Sequence, residues 1–453
     1  MSSVDPDPSR RFHRGLLVTV FVGALWRIGV LVVDKWQQPL LLNDSIYYSA
    51  QARQIVDGIW FREIFVDRPG AEHGPLTSLL LATVSWVDDP VPWQRAVTVV
   101  CGIVTIALVG VLARRIAGDV AGVVAAGIAA LYPNLWMNDG LVMSESVSVL
   151  ALVATLLLAH RCLARPAPLA AVLVGAGAGL AALARSELAL LTPGLALLLW
   201  FASRTPSTTT SPESPPATTG ARLVAPVLVL AAAAVTVAPW VTFNLGRFER
   251  PVTLTTNDGT TLLGSYCDET FSRENLGGWS LACVVADPDY TQDEDPSMRS
   301  ERQRGMAVEY AVDHATKLPA VMVARVGRTL DLYGLDSLVA QDVGEERYRW
   351  ASWAGIISWW ALALTAVTGW RRIRASTGRA DRWLLLLPCV AVAVTTVVFY
   401  GAHRIRSSVE PSVVIAASIV IASWWKRRTH RTRRTHRMGV STGSDSEPQV
   451  SDR

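Results

Sequence analysis

Apolar residues run along this chain in blocks of about twenty, separated by short polar breaks. A block of that length matches the roughly 30 Å hydrocarbon core that a transmembrane helix must cross. Ten such blocks fall at about 15–33, 96–114, 119–135, 141–160, 168–184, 187–203, 223–243, 351–370, 382–400 and 409–425. The shorter ones need their flanks to complete a crossing. The pattern predicts an all-α polytopic membrane protein of about ten transmembrane helices plus interfacial helices. A small mixed extracytoplasmic loop region accompanies them. Ala, Val, Leu and Gly dominate the blocks, and small residues let such helices approach closely.

One segment breaks the count. Residues 75–87, "PLTSLLLATVSWV", are apolar but too short to span. A crossing there would put later basic loops on opposite faces. It therefore reads as an interfacial or re-entrant helix packed on the protein.

Arginine and lysine set the orientation. "RRFHR", "ARR" at 113–115, "HRCLAR" at 160–165, "RRIR" at 371–374 and "KRRTHRTRR" at 426–434 all fall on one face if ten helices span. Both termini are then expected in the cytoplasm. The first block begins after "RRFHR" and lacks a small-residue cleavage site, so it reads as a retained helix.

This divides the chain into a cytoplasmic N-terminus (1–14), a first transmembrane region (15–203, with outer loop 35–95), a linker, and a second transmembrane region (223–425, with outer loop 244–350). The linker, 204–222, contains "RTPSTTTSPESPPATTG" and cannot bury a core, so it is expected to be disordered. The basic tail, 426–453, reads the same way. In the second outer loop, "PVTLTTNDGTTLLGSYC" alternates Thr and Leu about Asn-Asp-Gly, which suggests a short hairpin. A helix is expected over about 299–333.

Composition agrees with the pattern. The 453 residues are 51% hydrophobic, with a mean hydropathy of +0.30. The formal charge of +4 matters less than its distribution. Of the five cysteines, Cys101, Cys162 and Cys389 lie in or beside apolar blocks, as small buried hydrophobes do. Cys267 and Cys283 share one polar loop and can pair if that loop faces an oxidising compartment. No cysteine or histidine spacing typical of a metal site is present.

The polar residues that resist the pattern gather at one level, the expected outer face. Asp44, in "LLNDSIYYSAQ", precedes Tyr47 and Tyr48 at i+3 and i+4, so a helix starting there puts all three on one face. Asn43 or Asp44 is also suited to cap that helix, and the tyrosines to an interfacial belt. Asp139 and Glu145 stand at the start of the fourth block, where carboxylates usually face a cavity or a partner. Arg185 and Glu187 share the next outer turn and suit an ion pair. His403, Arg404 and Arg406 put cations on the face opposite the positive-inside preference, which suggests a bound anion. Arginine suits bidentate phosphate binding, and snorkelling to head groups is the plainer reading. His73 is a lone loop histidine before "GPL".

The order "NDSIYY", "HGPLTSLLLA", "ARRIAG…AALYPNLWMNDGLVMSES", "ALARSELALLTPG" and "HRIRSSVEPSVVIAAS" is similar to that of GT-C glycosyltransferases of the protein O-mannosyltransferase and lipid A aminoarabinose transferase group. The resemblance covers most of residues 15–425. The usual Asp-Glu of the first loop reads Asp44-Ser45 here, the usual Pro-Pro reads Gly74-Pro75, and the late Arg-Tyr-Arg reads Arg404-Ile405-Arg406. The loop holding Cys267 and Cys283 looks like that of an actinobacterial-type subgroup, which implies a disulfide between them.

The resemblance implies inverting transfer from a polyprenyl-phosphate sugar to an acceptor hydroxyl at the outer face. The acceptor is a glycan, a lipid or a protein, and no nucleic acid is involved. It implies no certain cofactor, because the group includes metal-linked and metal-independent members. Asp44 is the expected base, and Arg404 and Arg406, with Arg185 or His73, are the expected partners of the departing phosphate. Glu145 or Asp139 would orient acceptor or sugar hydroxyls, Glu187 and His403 join the expected substrate-binding set, and Tyr47 and Tyr48 would pack on sugar or prenyl chain. A multi-pass lipid or solute transporter is the alternative, although transporter sites tend toward the midplane and use internal repeats.

Overall fold

The computed structural model describes residues 8–41, 44–204, 219–272 and 274–441. Six helices are long and apolar enough to cross a membrane: Arg10–Lys35, Val91–Ala117, Glu145–Ala164, Leu223–Leu245, Arg349–Thr368 and Arg379–Val398. Four shorter apolar helices, Asp119–Leu131, Pro168–Ala184, Ser186–Ala202 and Glu410–Trp425, stand at the other four expected spans. The chain is a multi-pass, all-α membrane protein. On the first helix Leu17, Val18 and Phe21 point outward, as lipid contact requires.

Small residues hold the bundle together. The Asp119–Leu131 helix buries Ala121, Gly122, Ala125, Ala126, Ala129 and Ala130. That stripe lets it sit against the first helix, the Val91–Ala117 helix and the last helix. The Pro168–Ala184 helix packs along Thr219–Leu245. A methyl group at Gly175 would run into the carbonyl oxygen of Val229, so the two backbones meet there directly.

Two departures from regular spanning helix bring separate segments together at one end of the bundle. The Pro168–Ala184 helix stops at Arg185, whose backbone is extended, and a 3₁₀ turn over Ser186–Leu190 leads into the next helix. The 75–87 segment forms only the Pro75–Ala82 helix, about 12 Å long at 1.5 Å per residue and too short to cross. Gly74 precedes it, and a Cβ there would meet the carbonyl oxygen of Leu183. The "HGPL" turn is thereby pressed against the Arg185 break, and the close approach gives a reason for glycine at that position.

The second outer loop is helical, which corrects the expected hairpin and the mixed character assigned to this region. Among the described residues no strand forms, and an isolated antiparallel bridge joins Arg62 to Pro69. Asn257 has φ −87° and ψ −3° and leads into the Asp258–Leu263 helix. Gly259 keeps a negative φ, so the Asn-Asp-Gly run never takes the positive-φ turn a tight hairpin needs. The helix expected near 299–333 is two, Pro296–Asp313 and Leu318–Thr329. Asp295 caps the first by accepting from the Ser297 amide at 2.8 Å. Arg302 ties it to Asp287 and Glu294, each at 2.7 Å.

Cys267 and Cys283 form a disulfide, as implied. The last helix runs from Glu410 to Ser441, so part of the tail expected to be disordered is helical. The Asn43 cap, linker residues 205–218 and tail residues 442–453 lie outside the described residues.

The disulfide closes a loop of 16 residues, which by loop closure contributes roughly 2–4 kcal/mol. Cys267→Ser and Cys283→Ser should each lower the thermal midpoint of the purified protein, and the double variant should lose little more. Midpoints equal to that of the oxidised wild type would show that the bond does not restrain this loop.

Candidate functional site

The Asp44–Val56 helix brings Asp44, Tyr47 and Tyr48 onto one face. Tyr48 stacks on His73 with ring centres 5.0 Å apart, and Tyr47 meets the same imidazole edge-on at 5.0 Å. Both tyrosines are buried. Their rings therefore hold His73 rather than forming an exposed belt or an open platform for a sugar.

His73 approaches Asp44 at 3.6 Å, a charge contact longer than a hydrogen bond. On the other side Arg404 donates to Asp44 at 2.6 Å. Burial by itself would raise the Asp44 carboxyl, but Arg404 and His73 outweigh it and hold it well below the usual range. The same pairing works in reverse on His73. Burial would lower it, but Asp44 raises it above the ordinary histidine value.

Arg404 is the hub. It sits in the short His403–Arg406 helix and faces three carboxylates. Besides Asp44 these are Glu145 at 3.2 Å and Glu345 at 3.3 Å. Glu145 opens the Glu145–Ala164 helix, where the helix dipole favours an acid. It also receives Arg185 at 2.9 Å, and its Oε2 has no hydrogen-bond partner among the described residues. Arg185 completes its fork on Glu187. The expected Arg185–Glu187 pair therefore exists and is joined to Glu145.

Sequence reasoning missed the "GEERYR" segment at 344–349. Glu345 binds both Arg404 and Arg347. Arg347 continues to Asp342 at 3.3 Å and to Asn138 at 2.9 Å. Glu346 has a φ of +66°, a conformation non-glycine residues seldom adopt. Its carboxylate meets Arg95 at 2.7 Å with both side chains buried, and it accepts from the Leu41 amide at 3.2 Å. The visible signal was the density of charge just before a span.

The structure draws three expected members elsewhere. Asp139 pairs with Arg27 at 2.6 Å and accepts from Ser146 at 2.7 Å, inside the bundle and out of contact with Asp44. Arg406 is locked between Asp331 at 2.7 Å and Glu410 at 2.8 Å, with its plane over Trp359. His403 bridges Asp342 at 2.8 Å and Asp331 at 2.6 Å. Spacing put these residues at the right level, but their partners make them part of the scaffold around Arg404. Asp44, His73, Glu145, Arg185, Glu187 and Arg404 are brought together. No group of three or more His, Cys, Asp or Glu side chains is arranged to hold a metal among the described residues.

Residues 72–241 match the family model described as dolichyl-phosphate-mannose-protein mannosyltransferase. Sequence comparison with curated proteins found no match. Among solved structures, the oligosaccharyltransferase AglB of Archaeoglobus fulgidus in its apo form aligns with 13% identity and a TM-score of 0.56, over 97% of this chain and 53% of that one. The same protein in complex with an inhibitory peptide and a dolichol-phosphate aligns with 12% identity and a TM-score of 0.53, over 97% and 52%. ArnT from Cupriavidus metallidurans bound to undecaprenyl phosphate aligns over 92% of this chain and 78% of its own, with 14% identity and a TM-score of 0.41. The chain thus spans about half the length of the archaeal enzyme and shares its fold. The expected GT-C resemblance is borne out by the family match and by that fold.

Burial would lower the His403 imidazole, but Asp342 and Asp331 outweigh it and push it up to about 9. A group raised above its unfolded value of 6.5 stabilises fully below that value and loses this contribution as pH rises through its folded value. From pH 7 to 10 the wild-type thermal midpoint should fall more steeply than that of His403→Gln. Equal slopes would show that the imidazole is not held charged.

Proposed function

We propose that this protein is a glycosyltransferase of the GT-C type that moves a hexose or pentose from a polyprenyl-phosphate donor to an acceptor hydroxyl, with inversion. The observation that carries this reading is the contact between Asp44 and Arg404, residues 360 positions apart in the chain. It pairs a carboxylate suited to take a hydroxyl proton with a guanidinium suited to a phosphate. The family match over residues 72–241 and the shared oligosaccharyltransferase fold support transfer rather than transport.

In this structure the arginines of the site are met by carboxylates. A phosphate anion arriving at Arg404 would compete for its fork, because bidentate Arg–phosphate pairing is at least as well matched. Asp44 would lose the partner that keeps its carboxyl acidic and become a better base. The acceptor oxygen then attacks the anomeric carbon as Asp44 takes its proton. The bond from that carbon to the phosphate oxygen breaks on the opposite face. The electron pair leaves with the polyprenyl phosphate, whose charge Arg404 stabilises with help from Arg185 and His73. Glu145 and Glu345 keep Arg404 aimed, and Glu187 does the same for Arg185.

The basic loops at the opposite ends of the helices support a plasma-membrane orientation with cytoplasmic termini and an extracytoplasmic site. The acceptor is a glycan, a lipid or a protein, in keeping with the dolichol-phosphate and peptide bound by the archaeal neighbour.

Asp44→Asn removes the base while keeping the shape. It should lower transfer from polyprenyl-phosphate sugars by roughly 10²–10⁴-fold, with the donor still bound. Arg404→Lys should also lose activity, because a point charge replaces a fork. Full activity in Asp44→Asn would remove it as the base. A wild type that transfers no sugar from any such donor, yet moves a solute across liposomes, would sink the transferase reading.

A further inference from the structure

At the far end of the bundle, three arginines surround one cavity. Arg115 lies in the last turn of the Val91–Ala117 helix, Arg161 in the last turn of Glu145–Ala164, and Arg165 just after it. With Ala164 they line a cavity of about 500 Å³. Arg161 is sixteen residues along its helix from Glu145, so the cavity lies about 24 Å from the Asp44 site, on the opposite membrane face.

Cations at this face are partly explained by topology and by helix C-termini. The neighbouring groups nonetheless have acidic partners. Arg114 pairs with Asp119 at 2.6 Å, and His160 with Asp381 at 2.9 Å. Arg115, Arg161 and Arg165 are exposed, none has a side-chain partner among the described residues, and no carboxylate lines their cavity. Like charges gathered around one space without a counterion attract an anion.

A second cavity, of about 430 Å³, adjoins the first through Arg115. Phe12, Leu16 and Val111 line part of it, beside His13, Arg114 and Asp119. A cluster of arginines beside apolar side chains, at the membrane boundary, matches a phosphate that carries a hydrocarbon chain.

We propose that Arg115, Arg161 and Arg165 bind the phosphate of an anionic phospholipid, with an acyl chain lying against Phe12, Leu16 and Val111. The shared chemistry is a phosphate anion, and a free phosphate is the rival source. Arginine forks suit such a group, and basic pockets between transmembrane helices are a recognised form of lipid site.

The test is native mass spectrometry and thermal unfolding of the full-length protein in detergent, with phosphatidylglycerol, phosphatidylcholine or inorganic phosphate added. Wild type should retain phosphatidylglycerol and be stabilised by it, with little response to phosphatidylcholine. Replacing all three arginines by glutamine should weaken phosphatidylglycerol binding roughly a hundredfold, at about two-thirds of a decade per arginine. The triple lysine variant keeps charge and orientation but loses the forks, and should fall between the two. Unchanged phosphatidylglycerol binding in the glutamine variant, or equal retention of the two lipids by wild type, would overturn the site. Stabilisation by inorganic phosphate that matches that by phosphatidylglycerol would overturn the lipid as its source.

Discussion

A guanidinium largely out of water needs its charge answered, and at Arg404 three carboxylates answer it. Asp44, Glu145 and Glu345 come from three distant stretches of chain and converge on one side chain. Each of them is answered in turn, by His73, Arg185 or Arg347. Removing one partner of such a buried set typically costs about 3–5 kcal/mol, because a charge is left uncompensated in a poor solvent. The helices that carry these groups are therefore constrained by one another's charges as well as by their apolar contacts.

The fold departs from regular helix where this network needs it. The Pro168–Ala184 helix gives way to extended backbone at Arg185, which turns that side chain toward Glu145. The 335–344 helix ends before Glu345 and Glu346, and the positive φ of Glu346 accompanies their divergence, one toward Arg404 and the other toward Arg95. Gly74 permits the backbone contact that brings His73 beside the same break. Strain and close approach are tolerated at these points because many fixed charges determine the geometry around them.

Charge balance also explains why the site holds its acids and bases in one particular state. Arg404 and His73 hold the Asp44 carboxyl well below its usual range, and Asp44 raises the His73 imidazole above its ordinary value. An anion arriving at Arg404 would change that balance, since it would add negative charge at the hub. The aromatic packing of Tyr47 and Tyr48 on His73 fixes the imidazole while this happens.

The amino-acid sequence alone determined the membrane class, the positions of the ten apolar helices and the level at which Asp44, Glu145, Arg185 and Arg404 lie. Those properties follow from the length of apolar runs and from where charge interrupts them, and both are local. The face shared by Asp44, Tyr47 and Tyr48 was legible too, because helical period is local. Partner choice was not. Asp139 and Arg406 have the same spacing credentials as Glu145 and Arg404, yet Arg27 captures the one and Asp331 with Glu410 the other. Glu345 went unseen because nothing near it in sequence reveals that Arg404 will stand opposite. The Asn-Asp-Gly run opens a helix, and Gly259 there lies against the backbone of Ser300 in another helix. Only the tertiary structure decided these matters, since a charge or a turn residue pairs with whatever the fold brings within a few ångströms, whatever its distance along the chain.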